Sequence, residues 1–248
     1  MRDYAIEKKN RVEFIRQTLA SARAEGIVFG NSGGKDCALV GILCKMACEN
    51  TLGVIMPCES KRNFEDDRID AEAVAGQYGI ATRLVDLTPV KKELVRAASC
   101  DTELSDAALS NIAPRLRMTA LYAIAASENR LVAGTGNRSE MYMGYFTKWG
   151  DGAYDFNPIA DLTATEVREF LRYLAAPASV INKAPSAGLF DGQTDEDDMG
   201  VTYEAIDRYL FTDEADEKDK GVIDRYHGTS GHKRKMPAVY KRENDSEA

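Results

Sequence analysis

"FGNSGGKDCALV", residues 29–40, sets a small-residue loop between two apolar runs. Before it, "GIVFG" (26–30) is a short apolar run bounded by glycines and suits a buried strand; after it, "KDCALVGILCKMACEN" (35–50) resumes helical periodicity. A loop that leaves a strand and opens a helix presents outward-pointing N–H groups that favour an anion. Gly30, Gly33 and Gly34 let the backbone approach phosphate oxygens closely, with Asn31, Ser32 and Lys35 beside them. The bland alternative is a strand-to-helix turn with an N-capping Ser or Asp. Cys37 falls in the first helical turn, where the dipole lowers a thiol pKa. No base accompanies it, and it reads as a small residue rather than a nucleophile.

Two familiar phosphate loops fail on spacing. A Walker A loop needs glycine where Phe29 stands and Ser or Thr where Asp36 stands; a dinucleotide fingerprint needs Gly-x-Gly-x-x-Gly, which "GNSGGK" lacks. What remains is Ser-Gly-Gly-x-Asp, in which the aspartate offers a hard oxygen ligand for Mg²⁺ on a triphosphate.

Working outward, residues 3–24 carry Tyr4, Val12, Ile15, Leu19 and Ala22 at helical spacing. "LGVIMP" (52–57), "ATRLVDL" (81–87) and "NRLVAGTGN" (129–137) predict further strands, with a helix over 68–79 between the first two. Residues 101–129 predict helix broken near Pro114; after Asp161 the pattern is helices and loops. Strands alternating with helices mean βαβ units, so the expected fold is α/β: an open, mostly parallel sheet, helices on both faces, and a helical C-terminal extension. No linker or internal repeat divides the chain, which reads as one domain over 1–248 with a frayed tail at 242–248.

Bulk composition is ordinary for a soluble globular enzyme. The 248 residues are 44% hydrophobic and 29% charged, with a formal net charge of −8 and a pI near 5.0. That balance argues against wrapping nucleic acid or lying on an anionic membrane. No apolar run reaches the length of a membrane span and the charged N-terminus has no signal-like segment, so a cytoplasmic protein is expected. The five cysteines form no CxxC pair and read as reduced thiols. Two histidines make a His-rich metal centre improbable.

The loop resembles the pyrophosphatase loop of ATP-dependent ligases and amidotransferases. "NIAPRLRMTALYAIA" (111–125), "GTGNRSEMYMGYFTKWGDGAYDFNPIADLTATEV" (134–167), "KAPSAGLFDGQTDEDDMGVTYEAIDRYL" (183–210) and "HKRKMP" (232–237), in this order, resemble the ammonia-dependent NAD⁺ synthetase family. That resemblance implies ATP-dependent amidation of deamido-NAD⁺ through an acyl-adenylate, with release of AMP and PPi. It assigns residues 30–37, Thr135 and Ser186 to ATP, and Asp36 and Glu140 to Mg²⁺. Arg115, Lys148, Asp155, His232 and Lys233 fall at deamido-NAD⁺ positions, with Asp36, Glu140, Lys148 and Asp155 at the reacting end. It also implies a homodimer and no nucleic-acid or membrane partner. Ammonia as nitrogen source follows from a chain with no room for a glutaminase domain.

Taken singly, these residues have plainer readings. Arg115 suits an exposed helical charge, Glu140 a first-turn carboxylate favoured by the helix dipole, and Asp195–Asp198 a capped, solvated helix start after Thr194. Two positions depart from the family pattern: Ala164 replaces a lysine near the ATP phosphates, and Cys37 replaces Ser or Thr. Lys35 either folds back over the phosphates in compensation or points into solvent. Glycines in 186–200 and 227–237 make both segments hinge-like lids over bound ligands. Another adenylating enzyme, or a nucleotide-binding protein with reduced catalysis, are the competing functions.

Overall fold

In the computed structural model, residues 2–59, 66–183 and 194–240 are described. The chain runs α1 (Tyr4–Ala22), β1 (Gly26–Gly30), α2 (Lys35–Ala47), β2 (Thr51–Ile55), α3 (Asp66–Tyr78), β3 (Ala81–Leu84), α4 (Thr88–Ala98), α5 (Asp106–Ser127) and β4 (Arg130–Val132). The rest is helical: α6 (Arg138–Met143), α7 (Ala164–Tyr173), α8 (Ala178–Ile181), α9 (Asp195–Met199), α10 (Tyr203–Thr212), α11 (Glu217–Thr229) and a 3₁₀ turn, Gly231–Lys233.

The four strands are parallel, in the order β3-β2-β1-β4. β1 is central because it is apolar on both faces. Ile27 and Phe29 point into a core built with Ile15, Leu39, Leu43 and Phe170 from α1, α2 and α7. Val28 points to the other face, where it packs with Leu52, Val54, Leu121 and Ala125 under α5. A third cluster, with Met143, Met199, Tyr203, Ile206 and Ile223, welds α6, α9, α10 and α11 together beyond the sheet.

The predicted strands were too long at their carboxyl ends. β2, β3 and β4 stop at Ile55, Leu84 and Val132. Beyond β2 and β4 the chain turns to wall a cavity, and Ala133 makes only an isolated bridge to Phe156. Pro114 does not break the helix either; it stands inside the uninterrupted α5. It removes one N–H, but its ring is buried and adjoins Gly150, where a Cβ would come within 2.9 Å of Pro114 Cβ. Packing therefore outweighs the local penalty. The sequence reading also missed α4, which buries none of its residues. The 242–248 tail lies outside the described residues.

The N-terminus is fastened by charge. Arg11, 8% exposed, donates to Asp161 and Glu7 and to the Pro158 carbonyl, while Arg2 reaches Asp161 and Glu166. Tyr4 packs against Phe170 in a tilted arrangement with centroids 4.9 Å apart. Phe170→Ala is expected to cost about 3–5 kcal/mol, because Phe170 is wholly buried between α1, α2 and α7. Phe211→Ala, at a site 57% exposed, is expected to cost under about 1 kcal/mol. Urea unfolding of both variants checks this; equal losses would contradict the core assignment.

Candidate active site

The carboxyl ends of β1, β2 and β4 open into a cavity of about 780 Å³, the usual place for a ligand in an open parallel sheet. Gly30, Asn31, Ser32, Gly34, Lys35, Asp36, Cys37, Thr135 and Glu140 all line it. The loop is built for close approach. Asn31 N–H extends the sheet by donating to Val54 O at 2.8 Å, and its side chain donates to Ala71 O at 3.3 Å. Gly33 has φ +72°, and a Cβ there would lie 2.2 Å from the Asp67 carbonyl oxygen. No other residue fits that position.

Of the helices that begin at this cavity, α2, α6 and α7 differ in how their first turns are closed. Both α6 and α7 have complete capping boxes: Asn137 with Glu140, and Thr163 with Glu166. By contrast α2 starts at Gly34 with no side-chain cap. Its first turn, next to Ser32 and Lys35, is the end left open to an anion.

Asp36 in that turn and Glu140 in α6 follow the neighbouring strands β1 and β4. Asn137 is the link between them: its Nδ2 donates to Asp36 Oδ1 at 3.0 Å, its Oδ1 accepts from Glu140 N at 3.0 Å, and its N–H donates to Glu140 Oε2 at 2.9 Å. Burial pushes the Asp36 carboxyl up to about 6, against the opposing pull of Asn137 and Lys35. Glu140 is raised well above the ordinary carboxylate range by burial first and the Asp36 charge second. Among the described residues no group of three or more His, Cys, Asp or Glu is placed to hold a metal. Two hard carboxylates side by side suit an ion whose remaining ligands come from phosphate and water.

Lys35 does neither of the two things its sequence position suggested. Its Nζ turns along the cavity wall and donates to the Lys183 carbonyl, and burial lowers its pKa. Lys183 itself pairs with Asp67 at 2.9 Å and Asp70 at 2.7 Å. Cys37 is buried, sits 3.1 Å from Ser32 Oγ, and has its thiol pushed up by burial, so it is a packing residue and no thiolate. Ala164 lines the cavity without adding charge.

The residues expected to meet deamido-NAD⁺ divide. Lys233 reaches the cavity wall, where it donates to the carbonyls of Gly144 at 2.8 Å and Phe146 at 2.7 Å. Arg115, Lys148 and His232 form a strip outside it: Arg115 Nη2 donates to Lys148 O at 3.5 Å and Lys148 Nζ to His232 O at 2.6 Å. Asp155 lies at the sheet edge, accepting from Val132 N at 2.7 Å and Tyr122 OH at 3.2 Å. Ser186 lies outside the described residues, as do residues 186–193 of one expected lid. The other is anchored by Arg234, whose guanidinium donates to the carbonyls of Tyr142 and His227 and to Ser230 Oγ.

One expectation is corrected. Asp195 is not solvated: it is 4% exposed, lines the cavity and accepts from Tyr203 OH at 3.2 Å. The helix start itself is as expected, with Thr194 capping and Asp197 exposed. Burial of Asp195 comes from α10 packing over α9, which no local pattern announces. Arg117, Asp151 and Lys183 also line the cavity and were not singled out from sequence. Of the missed residues only Asn137 had a local signal, the N-cap position of "NRSE".

The family profile described as NAD synthase matches residues 7–244. An NH(3)-dependent NAD(+) synthetase of Carboxydothermus hydrogenoformans is 48% identical over 92% of this chain and 94% of its own length. Among solved structures, NMN synthetase from Francisella tularensis superposes with a TM-score of 0.92 at 35% identity, covering 98% of this chain and all of that one. NH3-dependent NAD synthetase from Campylobacter jejuni gives 0.79 at 28% identity, covering 97% and 100%. With this cavity, its open α2 terminus and its paired carboxylates, the chain belongs to the NAD synthase family, ligases that amidate deamido-NAD⁺ with ammonia at the expense of ATP.

Proposed function

We propose that the cavity binds ATP with its phosphates on residues 30–37 and that Asp36 and Glu140 hold Mg²⁺ there. The observation that carries this is the Asp36–Asn137–Glu140 constellation beside the uncapped start of α2. The metal supplies charge neutralisation on the triphosphate. The chain's own residues position the reactants: the α2 amides, that of Lys35 among them, and Ser32 grip phosphate, and Thr135 closes the β4 side. Lys233 and the strip Arg115, Lys148 and His232, with Asp155, orient the dinucleotide so that its nicotinate carboxylate enters the cavity. That carboxylate attacks the α-phosphorus and PPi departs; ammonia then attacks the acyl carbon and AMP leaves. Holding these partners in line is where the site contributes its rate enhancement. Ser186 belongs with the ATP residues on the same reading.

The active species on this reading is a homodimer. Leu84, Val90 and Leu94 on β3 and α4 are each 43–50% exposed and support association of two copies through an apolar face. A cytoplasmic setting agrees with five free cysteines. A second reading has specific support: the likeness to NMN synthetase is the higher of the two structural matches above. Nicotinate mononucleotide carries the same carboxylate and needs the same chemistry.

The test is turnover by the full chain with ATP, Mg²⁺ and ammonium, using each nucleotide in turn and following PPi release and amide formation. Deamido-NAD⁺ is expected to have the higher kcat/KM, because the outer strip contacts its second nucleotide. A preference for the mononucleotide would move the function to NMN synthesis; binding without PPi release would mark a protein that has lost catalysis.

Asp36→Asn and Glu140→Gln are each expected to lower kcat on the order of a hundredfold. The sign of the stability effect is opposite. Both carboxyls have raised pKa values in the folded protein. Their ionisation therefore opposes folding once pH exceeds the ordinary carboxylate range, and the penalty is complete above the folded pKa. Asp36→Asn should raise the metal-free Tm at pH 8, by about 2–4 °C per kcal/mol relieved, with the gain vanishing near pH 4. A pH-independent difference in Tm would contradict the paired-charge account.

A further inference from the structure

Asp207, in the middle of α10, is 3% exposed. Among the described residues no cation pairs with its carboxylate. Oδ2 accepts from the Thr165 N–H at 2.8 Å, and Oδ1 accepts from the Ser139 hydroxyl. Ser139 Oγ, wholly buried, accepts in turn from the Ala164 N–H at 3.2 Å. A buried anion is thus placed at the N-terminus of α7, where the helix dipole favours it, and it is tied at the same time to α6.

That tie matters because α6 is only six residues long and cannot hold its shape alone. Its first residue is pinned by Arg138 N–H donating to Leu162 O at 2.7 Å. Its second, Ser139, is pinned by Asp207. Its third is Glu140. A helix turns about 100° per residue, so a small rotation of α6 would swing Glu140 away from Asp36. We propose that Asp207, acting through Ser139, is a positioning residue that fixes α6 so that Glu140 stands opposite Asp36 at the metal position. This rests on the reading that Asp36 and Glu140 hold Mg²⁺.

The chemistry explains why a carboxylate is used. Both its oxygens accept, and both neighbours donate. Asp207→Asn puts an NH₂ group against one donor and loosens one of the two ties. Ser139→Ala removes the link and leaves the rest of the helix contacts in place.

The experiment is calorimetric binding of α,β-methylene-ATP to the full chain, with and without Mg²⁺, for wild type, Asp207→Asn and Ser139→Ala. Both variants are expected to lose about tenfold or more of the Mg²⁺-dependent gain in affinity, as for other partners that orient metal ligands. Their metal-free affinity should stay near wild type. In turnover, half-saturating Mg²⁺ should rise by a similar factor while KM for deamido-NAD⁺ is unchanged. Should Asp207→Asn fail to fold, Ser139→Ala, which deletes a single hydroxyl, carries the test. An unchanged Mg²⁺-dependent gain, or an equal loss with and without metal, overturns the proposal. If the wild type shows no Mg²⁺-dependent gain, the Asp36–Glu140 metal reading fails instead, and the positioning role falls with it.

Discussion

One buried asparagine holds the site together. Asn137, 2% exposed, donates to Asp36 with its amide nitrogen and accepts from the α6 backbone with its amide oxygen. Two carboxylates that repel each other are kept adjacent because each has this residue as a partner. Both groups are driven above the ordinary carboxylate range, by burial first, and the Asp36 charge adds to the rise at Glu140. A divalent cation and a triphosphate would turn that unfavourable arrangement into a favourable one, which is the usual relation between stability and function at an active site.

The second constraint is the allocation of helix N-termini. Each is a potential anion site, and a nucleotide cavity with three of them open would bind phosphate without register. Here α6 and α7 close themselves with capping boxes, and α7 is further occupied by Asp207. Only α2 lacks a side-chain cap among the three. The phosphate position is therefore selected as much by closing the alternatives as by opening α2.

Legibility from sequence followed the range of the interaction. The β1–loop–α2 unit was readable because strand, glycines and helix are contiguous and each has a local signature. Glu140 was readable as a helix-start carboxylate, but its pairing with Asp36 was reached only through the family resemblance. Pro114 misled because its local cost is outweighed by packing against the Gly150 loop. Asp195 misled because four consecutive acidic residues resemble a solvated turn until α10 covers the first of them. Asp207 and Ser139 are 68 positions apart and carry no pattern that could join them. The strip of Arg115, Lys148 and His232 was reached only by family resemblance, since each alone reads as a surface charge.

The central claim is that Asp36 and Glu140 share one metal ion on the ATP phosphates. Anomalous diffraction from crystals of the complex with Mn²⁺ and a non-hydrolysable ATP analogue tests it most directly. The account predicts a single strong peak between the two carboxylates, with an oxygen of each roughly 2.0–2.3 Å from the ion. A metal held by phosphate and water alone, or seated at Asp195 and Asp198 instead, would contradict it.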